Sequence, residues 1–234
     1  MSVPYLTIII PAYNEEKTVG EVIRRVLAVP FSGWKVEVIA VNDASTDGTL
    51  FALEEFNSRI KIIDLPRNGG KGSAVSAALR VAEGDFAIIQ DADLECKPEE
   101  MPLLLSALGS APDPATKLSV IGSRETHEQN PRKFALSRFG SLSITKLINL
   151  LYGSSLTDAS MCYKLFPRPS FGYFGECGFE AELLFMAKLL KNGYEVKEVP
   201  VSYIPRGTED GKKIRYRDGI KIILRILKFR VTGR

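Results

Sequence analysis

Asp91-Ala92-Asp93 sets two carboxylates one small residue apart, and Glu95 follows two positions later. Side chains two apart share a face on a strand. On a turn just past a strand they can share a ligand. Such oxygen donors suit Mg²⁺ or Mn²⁺, which keep open positions for phosphate oxygens. A divalent cation held there would stabilise negative charge developing on a departing diphosphate. An isolated D-x-D pair says little, because aspartates in turns commonly cap helices. Three other polar loops give it weight: Pro11-Ala12-Tyr13-Asn14-Glu15-Glu16, the run from Asn42 to Thr49, and Asn68-Gly69-Gly70-Lys71-Gly72. Asp43 could accept a hydrogen bond from a nucleobase, while Asp47 reads as a helix N-cap. The glycine loop would offer free backbone N–H groups and the Lys71 charge to a diphosphate. It is not a G-x-x-x-x-G-K-[ST] loop, and the first strand–helix turn lacks G-x-G-x-x-G, which counts against a dinucleotide dehydrogenase.

A scaffold must bring these loops together. Strand-like runs fall at residues 5–10, 36–41, 60–64, 86–90 and 118–121. Helical spacing fills residues 15–29, 47–57, 72–82 and 98–108 between them. Buried strands alternating with helices predict an α/β, doubly wound, mainly parallel sheet. Ligands of such sheets bind at the carboxyl ends of the strands, where all four polar loops lie. The second half reads as a helix over 137–151, a strand over 159–166, a helix over 178–191 closed by Asn192-Gly193, and an extended run over 195–203. A basic amphipathic helix closes the chain from about residue 214. Residues 1–213 thus read as one catalytic unit and 214–234 as an addition to it.

The 234 residues are 45% hydrophobic and 25% charged, enough for one sizeable core. A net charge of +3 is too small to signal a nucleic-acid partner. Its distribution says more: from Arg206 onward there are ten Lys/Arg against three Asp/Glu, while the preceding 205 residues carry −4. Cys96, Cys162 and Cys177 are odd in number and lack CxxC spacing, which disfavours a zinc site or a disulfide framework and fits a reducing cytosol. The single histidine, His127, excludes His-based metal clusters. No charged leader precedes the first strand, and no apolar run approaches the roughly 20 residues that span a bilayer. Lys221, Arg225 and Lys228 form one polar stripe, with Ile220, Ile223, Leu224, Ile226 and Leu227 on the other side. Such a helix can lie among anionic headgroups, with Tyr216 and Phe229 at the interface, or its apolar side can pack on the body. The expectation is a cytoplasmic protein, peripheral on the cytoplasmic face of a membrane.

The order PAYNEE, VNDASTDGT, NGGKG and QDADLE resembles family 2 glycosyltransferases over roughly residues 4–125. Further on, Gly122-Ser123-Arg124, Leu156-Thr157-Asp158, Cys162-Tyr163-Lys164-Leu165-Phe166, Gly178-Phe179-Glu180, Glu198-Val199-Pro200-Val201 and Gly211-Lys212-Lys213-Ile214 look like the polyprenyl-phosphate hexose synthases, the group of dolichyl-phosphate mannose synthase. The resemblance implies a GT-A fold. It also implies inverting transfer of a hexose from a nucleotide-sugar donor (GDP-mannose or UDP-glucose type) to a polyprenyl phosphate, dolichyl or undecaprenyl, with Mg²⁺ or Mn²⁺. By the same resemblance Pro11, Ala12, Tyr13, Glu15 and Asp43 line the nucleobase and ribose. Lys71 and Gly72 approach the diphosphate. Asp91 and Ala92 face the nucleotide, and Asp91, Asp93 and Glu95 hold the metal. Arg124 and Arg206 grip the acceptor phosphate, with Arg138 and Ser141 as helpers. Asn42 stands where many relatives have Asp, and Ala44 where they have Gly.

A lipid phosphate is already anionic and needs arginines rather than a strong base. A sugar hydroxyl needs a carboxylate base, for which Asp158 and Glu180 are candidates; both residues also fit structural roles. The alternatives are a soluble saccharide acceptor, a sugar nucleotidyltransferase, and a catalytically silent binding module.

Overall fold

β-branched and apolar runs make the two long central strands, β1 (Tyr5–Ala12) and β2 (Lys35–Asn42), paired in parallel from Tyr5↔Lys35 to Ala12↔Asn42. The computed structural model describes residues 3–109, 112–131, 135–175, 178, 180–206 and 216–232. Helix α1 (Val19–Ala28) and helix α2 (Thr49–Glu54) follow these two strands. Then come β3 (Lys61–Asp64), α3 (Lys71–Val81), β4 (Phe86–Ile89), a 3₁₀ turn (Pro98–Glu100) running into α4 (Met101–Ala107), and β5 (Leu118–Ser123). The second half adds α5 (Ala135–Tyr152), β6 (Lys164–Pro167), α6 (Ala181–Lys191), β7 (Glu195–Pro200) and α7 (Tyr216–Thr232).

The seven strands are ordered β3-β2-β1-β4-β6-β5-β7. Only β6 runs against its neighbours, pairing antiparallel with both β4 and β5. The expected α/β, mainly parallel sheet is therefore the observed one. Alternation along β1 sends Leu6, Ile8 and Ile10 to the face covered by α1, α2 and α4, and Ile9 to the face covered by α3 and α6. Helix α3 buries Gly72, Ala74, Val75, Ser76, Ala77, Ala78 and Leu79, so its small side chains let it lie close on the sheet. Each fully buried Ile contributes about 1.5–3 kcal/mol by its removal from water.

Three sequence expectations need adjustment. The strand expected over 159–166 is shorter, because a turn with Met161 N–H donating to Asp158 C=O (3.3 Å) precedes β6. Asp47 is not the N-cap of α2; Gly48 takes that position. Asp47 still accepts from Thr49 N–H (3.0 Å) and also from Glu16 N–H (3.3 Å), tying two loops together. On α7 the buried side chains are Ile222, Ile226 and Phe229, while Leu224 and Leu227 are 61% and 39% exposed. Ile222 and Ile226 pack with Ile144, Ile148, Leu183 and Met186 of α5 and α6. The expected apolar side is thus split between the body and solvent. The side chains of Tyr216, Ile220 and Lys221, and the whole Gly211-Lys212-Lys213-Ile214 segment, lie outside the described residues.

The end of α6 follows its sequence. Gly193 at φ +75° lets Tyr194 N–H reach Leu189 C=O and its own N–H reach Leu190 C=O, both at 3.1 Å.

Candidate active site

The loops after β1, β2, β3 and β4 meet at one edge of the sheet, and hydrogen bonds lock them to each other. Asn14, at φ +54°, accepts from Thr46 N–H (2.8 Å) and donates its own N–H to Ser45 Oγ (3.0 Å). Glu15 N–H donates to Thr49 Oγ1 at 2.8 Å. Pro11 and Ala12 end β1 beneath this junction, and Tyr13 is half-buried beside it.

Asp43 is 3% exposed, and its two carboxylate oxygens accept from Gly69 N–H and Gly70 N–H at 2.8 Å each. The expectation of free glycine N–H groups is corrected here: these two are already spent on Asp43, which shapes the loop. Gly70 sits at φ +79°, and a Cβ there would lie 3.0 Å from Gly178 Cα. Only glycine permits this close approach between the two halves of the chain.

The acidic turn follows β4. Leu94 at φ +61° bends it, and Asp93 Oδ1 accepts from Glu95 N–H at 3.1 Å. Asp91 is ion-paired with Lys71, whose ammonium also lies 2.9 Å from Glu182 Oε1 on α6. Burial works against the Lys71 charge, but Asp91 and Glu182 outweigh it and hold the ammonium well above the usual lysine range. Arg206 forks onto Glu15 at 2.9 and 3.0 Å and onto Asp93 Oδ2 at 3.0 Å. Burial, then Asp91 and Glu95, push the Asp93 carboxyl up to about 7 despite Arg206. Glu95 accepts from Tyr203 O–H (2.6 Å) and Arg206 N–H (2.9 Å). Residues 203–206 are thereby stitched over the turn.

Among the described residues, no three His, Cys, Asp or Glu side chains group into a cage for a metal ion. Around the turn the carboxylates of Glu15, Asp91, Asp93 and Glu95 nevertheless outnumber the two cations beside them, Lys71 and Arg206. Mg²⁺ typically binds through one or two carboxylates, substrate phosphates and water. Asp91 and Asp93 fit that partial set, with Glu95 adjoining.

Arg124 anchors a second cluster. Its guanidinium makes two hydrogen bonds to Asp158, from Nε to Oδ2 (2.6 Å) and from Nη2 to Oδ1 (2.8 Å). It also reaches Ser141 Oγ at 3.3 Å and stacks over the Tyr203 ring at 5.0 Å. Asp158 is 1% exposed, and Glu198 accepts from its backbone N–H at 2.9 Å. The structure therefore brings Arg124, Ser141 and Asp158 together, and Tyr203 links them to Glu95. Arg138 instead pairs with Glu125. Glu180, at the start of α6, pairs with Arg225 of α7 at 2.7 Å.

Sequence reasoning missed Glu182, Glu198 and Tyr203 as site-shaping residues. Glu182 had a signal: with Phe185, Met186 and Leu189 it sits at i, i+3, i+4 and i+7, on the buried stripe of α6. A lone acid on such a stripe requires a buried partner. Glu198 and Tyr203 gave no comparable sign, since their partners are about 40 and 108 residues away in sequence.

Comparisons with known proteins bear on the fold and the family. A dolichyl-phosphate beta-glucosyltransferase of Trichomonas vaginalis is 27% identical, over 98% of this chain and 74% of that protein. An undecaprenyl-phosphate 4-deoxy-4-formamido-L-arabinose transferase of Shewanella sediminis is 28% identical, over 90% of this chain and 62% of that protein. Among solved structures, glucosyl-3-phosphoglycerate synthase from Mycobacterium tuberculosis in complex with UDP superposes with a TM-score of 0.75 at 16% identity, covering 97% of this chain and 80% of that one. The same enzyme with Mn²⁺, UDP and phosphoglyceric acid gives 0.72 at 17% identity, over 95% and 78% of the two chains. The fold is thus GT-A. The family model described as glycosyl transferase family 2 matches residues 7–174, and the chain belongs to that family.

Proposed function

We propose that the chain moves a hexose from a nucleoside-diphosphate sugar to a polyprenyl phosphate, with inversion at the anomeric carbon. The observation that carries this reading is the state of the two candidate base carboxylates. Asp158 has both oxygens on Arg124, and Glu180 is paired with Arg225. Neither is poised to take a proton from a hydroxyl, whereas a phosphate monoester arrives already anionic. The names of the dolichyl- and undecaprenyl-phosphate relatives support the same class of acceptor.

Pro11, Ala12, Tyr13, Glu15 and Asp43 would line the nucleobase and ribose, with Lys71 and Gly72 toward the diphosphate. A Mg²⁺ or Mn²⁺ held by Asp91 and Asp93, with Glu95 adjoining, would supply positive charge to the leaving diphosphate. Solved structures of the same fold bound to Mn²⁺ and UDP support that choice of metal and ligand. Arg124, fixed by Asp158 and assisted by Ser141, would orient the acceptor phosphate. Arg206 would join it from the segment that overlies the acid turn. Its fork geometry suits a phosphate as well as the carboxylates it now holds. Helix α7 leaves Leu224, Leu227, Lys228 and Val231 exposed, a mixed apolar and basic surface that supports peripheral contact with an anionic membrane. No helix among the described residues is long and apolar enough to cross a bilayer.

The test is a panel of UDP- and GDP-sugars with polyprenyl phosphate and Mn²⁺ or Mg²⁺, run beside soluble saccharides and phosphoglyceric acid. Transfer to the lipid, dependent on metal, is the expected result. Transfer only to a soluble acceptor, or release of pyrophosphate, would overturn the reading.

A further inference from the structure

Two basic side chains stand in the acid turn, and both are shared in the same manner. Arg206 bridges Asp93 of the turn to Glu15 outside it, and Lys71 bridges Asp91 of the turn to Glu182 on α6. In each bridge, one carboxylate is a candidate cation ligand and the other belongs to a different element. Glu182 is 6% exposed, on the buried stripe of its helix. A carboxylate there carries a large desolvation penalty unless something nearby requires its charge. Its Oε1 has no hydrogen-bond partner although Lys71 Nζ is 2.9 Å away, so charge rather than a directed bond holds that contact. Wholly buried Lys164 lies 3.9 Å from its other oxygen. Charges therefore alternate from the turn into the interior: Asp91, Lys71, Glu182, Lys164.

We infer that Glu182 is a positioning residue that retains Lys71 when a divalent cation takes over Asp91; this rests on the metal-assisted reading above. Asp91 cannot neutralise an ammonium and a dication equally. As the cation enters, Lys71 needs another counter-charge, and Glu182 already touches it. The ammonium then stays at the N-terminus of α3, facing the diphosphate, without opposing the metal. With Glu182 neutralised, Lys71 would have Asp91 alone. Metal entry would then strand a buried positive charge beside a dication.

The experiment titrates Mn²⁺ and UDP, separately and together, into wild type, Asp93→Ala, Glu182→Gln, Lys71→Met and the Glu182→Gln/Lys71→Met double variant. Calorimetry follows both ligands and electron paramagnetic resonance follows free Mn²⁺; GDP replaces UDP in a parallel arm. Glu182→Gln is expected to weaken Mn²⁺ binding about tenfold, the scale at which outer residues tune metal sites. Its metal-free UDP affinity should not fall, because the site becomes more positive toward phosphate. A merely structural defect would weaken both ligands together. Adding Lys71→Met should return Mn²⁺ affinity to the wild-type level or better. The anchor role is overturned if Glu182→Gln leaves Mn²⁺ binding unchanged, weakens both ligands alike, or is not relieved by Lys71→Met. If Asp93→Ala binds Mn²⁺ and UDP as wild type does, the metal reading itself falls, and the anchor role with it. Should Glu182→Gln fail to fold, Lys71→Met alone decides: tighter Mn²⁺ binding supports the role, and unchanged or weaker binding overturns it.

Discussion

The loops proposed to bind the donor and the cluster proposed to bind the acceptor are held in place by different means. On the donor side, each loop directly follows a strand of the parallel sheet, and backbone groups do most of the fixing. Asp43 is clamped by two glycine N–H groups, and Asp93 accepts from Glu95 N–H. On the acceptor side, side chains hold side chains across long stretches of sequence. Arg124 rests on Asp158, Asp158 N–H rests on Glu198, and Tyr203 ties the cluster to Glu95. A site framed by backbone donors keeps its shape when one side chain is lost, even where the chemistry is lost with it. A site framed by ion pairs concentrates its fragility in a few charges. Breaking members of each set should separate the two behaviours.

The largest effect belongs to Asp93. Asp93→Ala should abolish transfer, by about 10³-fold or more, while the protein stays folded, because Tyr203 O–H and Arg206 N–H still hold the turn through Glu95. Near-wild-type turnover in a steady-state assay would exclude the metal assignment. Stability should move the other way. Burial, then Asp91 and Glu95, hold the folded carboxyl up at about 7, above the ordinary 3.8, so ionisation is penalised in the fold. That penalty is absent at low pH, grows as the pH passes 3.8, and is complete above about 7. Asp93→Asn should therefore raise the thermal midpoint at pH 8 and leave it nearly unchanged at pH 4. For the same reason, protons should compete with Mn²⁺ below about pH 7, visible as weaker metal affinity at pH 6 than at pH 8.

Asp158→Asn should be the most damaging change on the acceptor side. It removes the charge that fixes a largely buried guanidinium and leaves Arg124 under-paired. The acceptor KM should rise at least tenfold while donor affinity, measured by calorimetry, changes less than about twofold. A matching loss of donor affinity would show that the two clusters are not separable. A smaller effect is expected on α7: Leu224→Ser with Leu227→Ser should reduce sedimentation with anionic vesicles several-fold and leave turnover on a detergent-dispersed acceptor nearly intact.

Legibility in sequence follows the same division. The sheet could be read because buried strands such as 36–41 and 86–90 are short apolar runs separated by helical spacing. The donor loops could be read because each polar cluster sits next to its strand. Lys71 and Asp91 were placed in one site, but Glu182, which completes their bridge, comes from a helix some ninety residues beyond the acid turn. The acceptor partners escaped for the same reason, since no local spacing joins Arg124 to Asp158 or Glu95 to Tyr203. The pairing of Arg225 with Glu180 escaped because a polar stripe on a helical wheel does not say whether solvent or a carboxylate lies beside it.

The smallest predicted effect concerns Ala44, which stands at φ +53° in the loop after β2. A residue with a Cβ loses roughly 1–2 kcal/mol in that left-handed conformation. Ala44→Gly would relieve this, but glycine also gives the unfolded chain more freedom, offsetting about 0.5–1 kcal/mol. The net gain is thus a few tenths of a kcal/mol up to about 1, or roughly 1–4 °C in the thermal midpoint for a chain of this size. Turnover should stay within about twofold, because the loop is held from outside by Asn14 and Asn42: Thr46 N–H donates to Asn14 at 2.8 Å and Ser45 N–H to Asn42 at 3.2 Å. A large fall in donor affinity with no change in stability would mean that the strained alanine itself shapes the nucleotide pocket. Backbone bracing alone would then not account for the donor side.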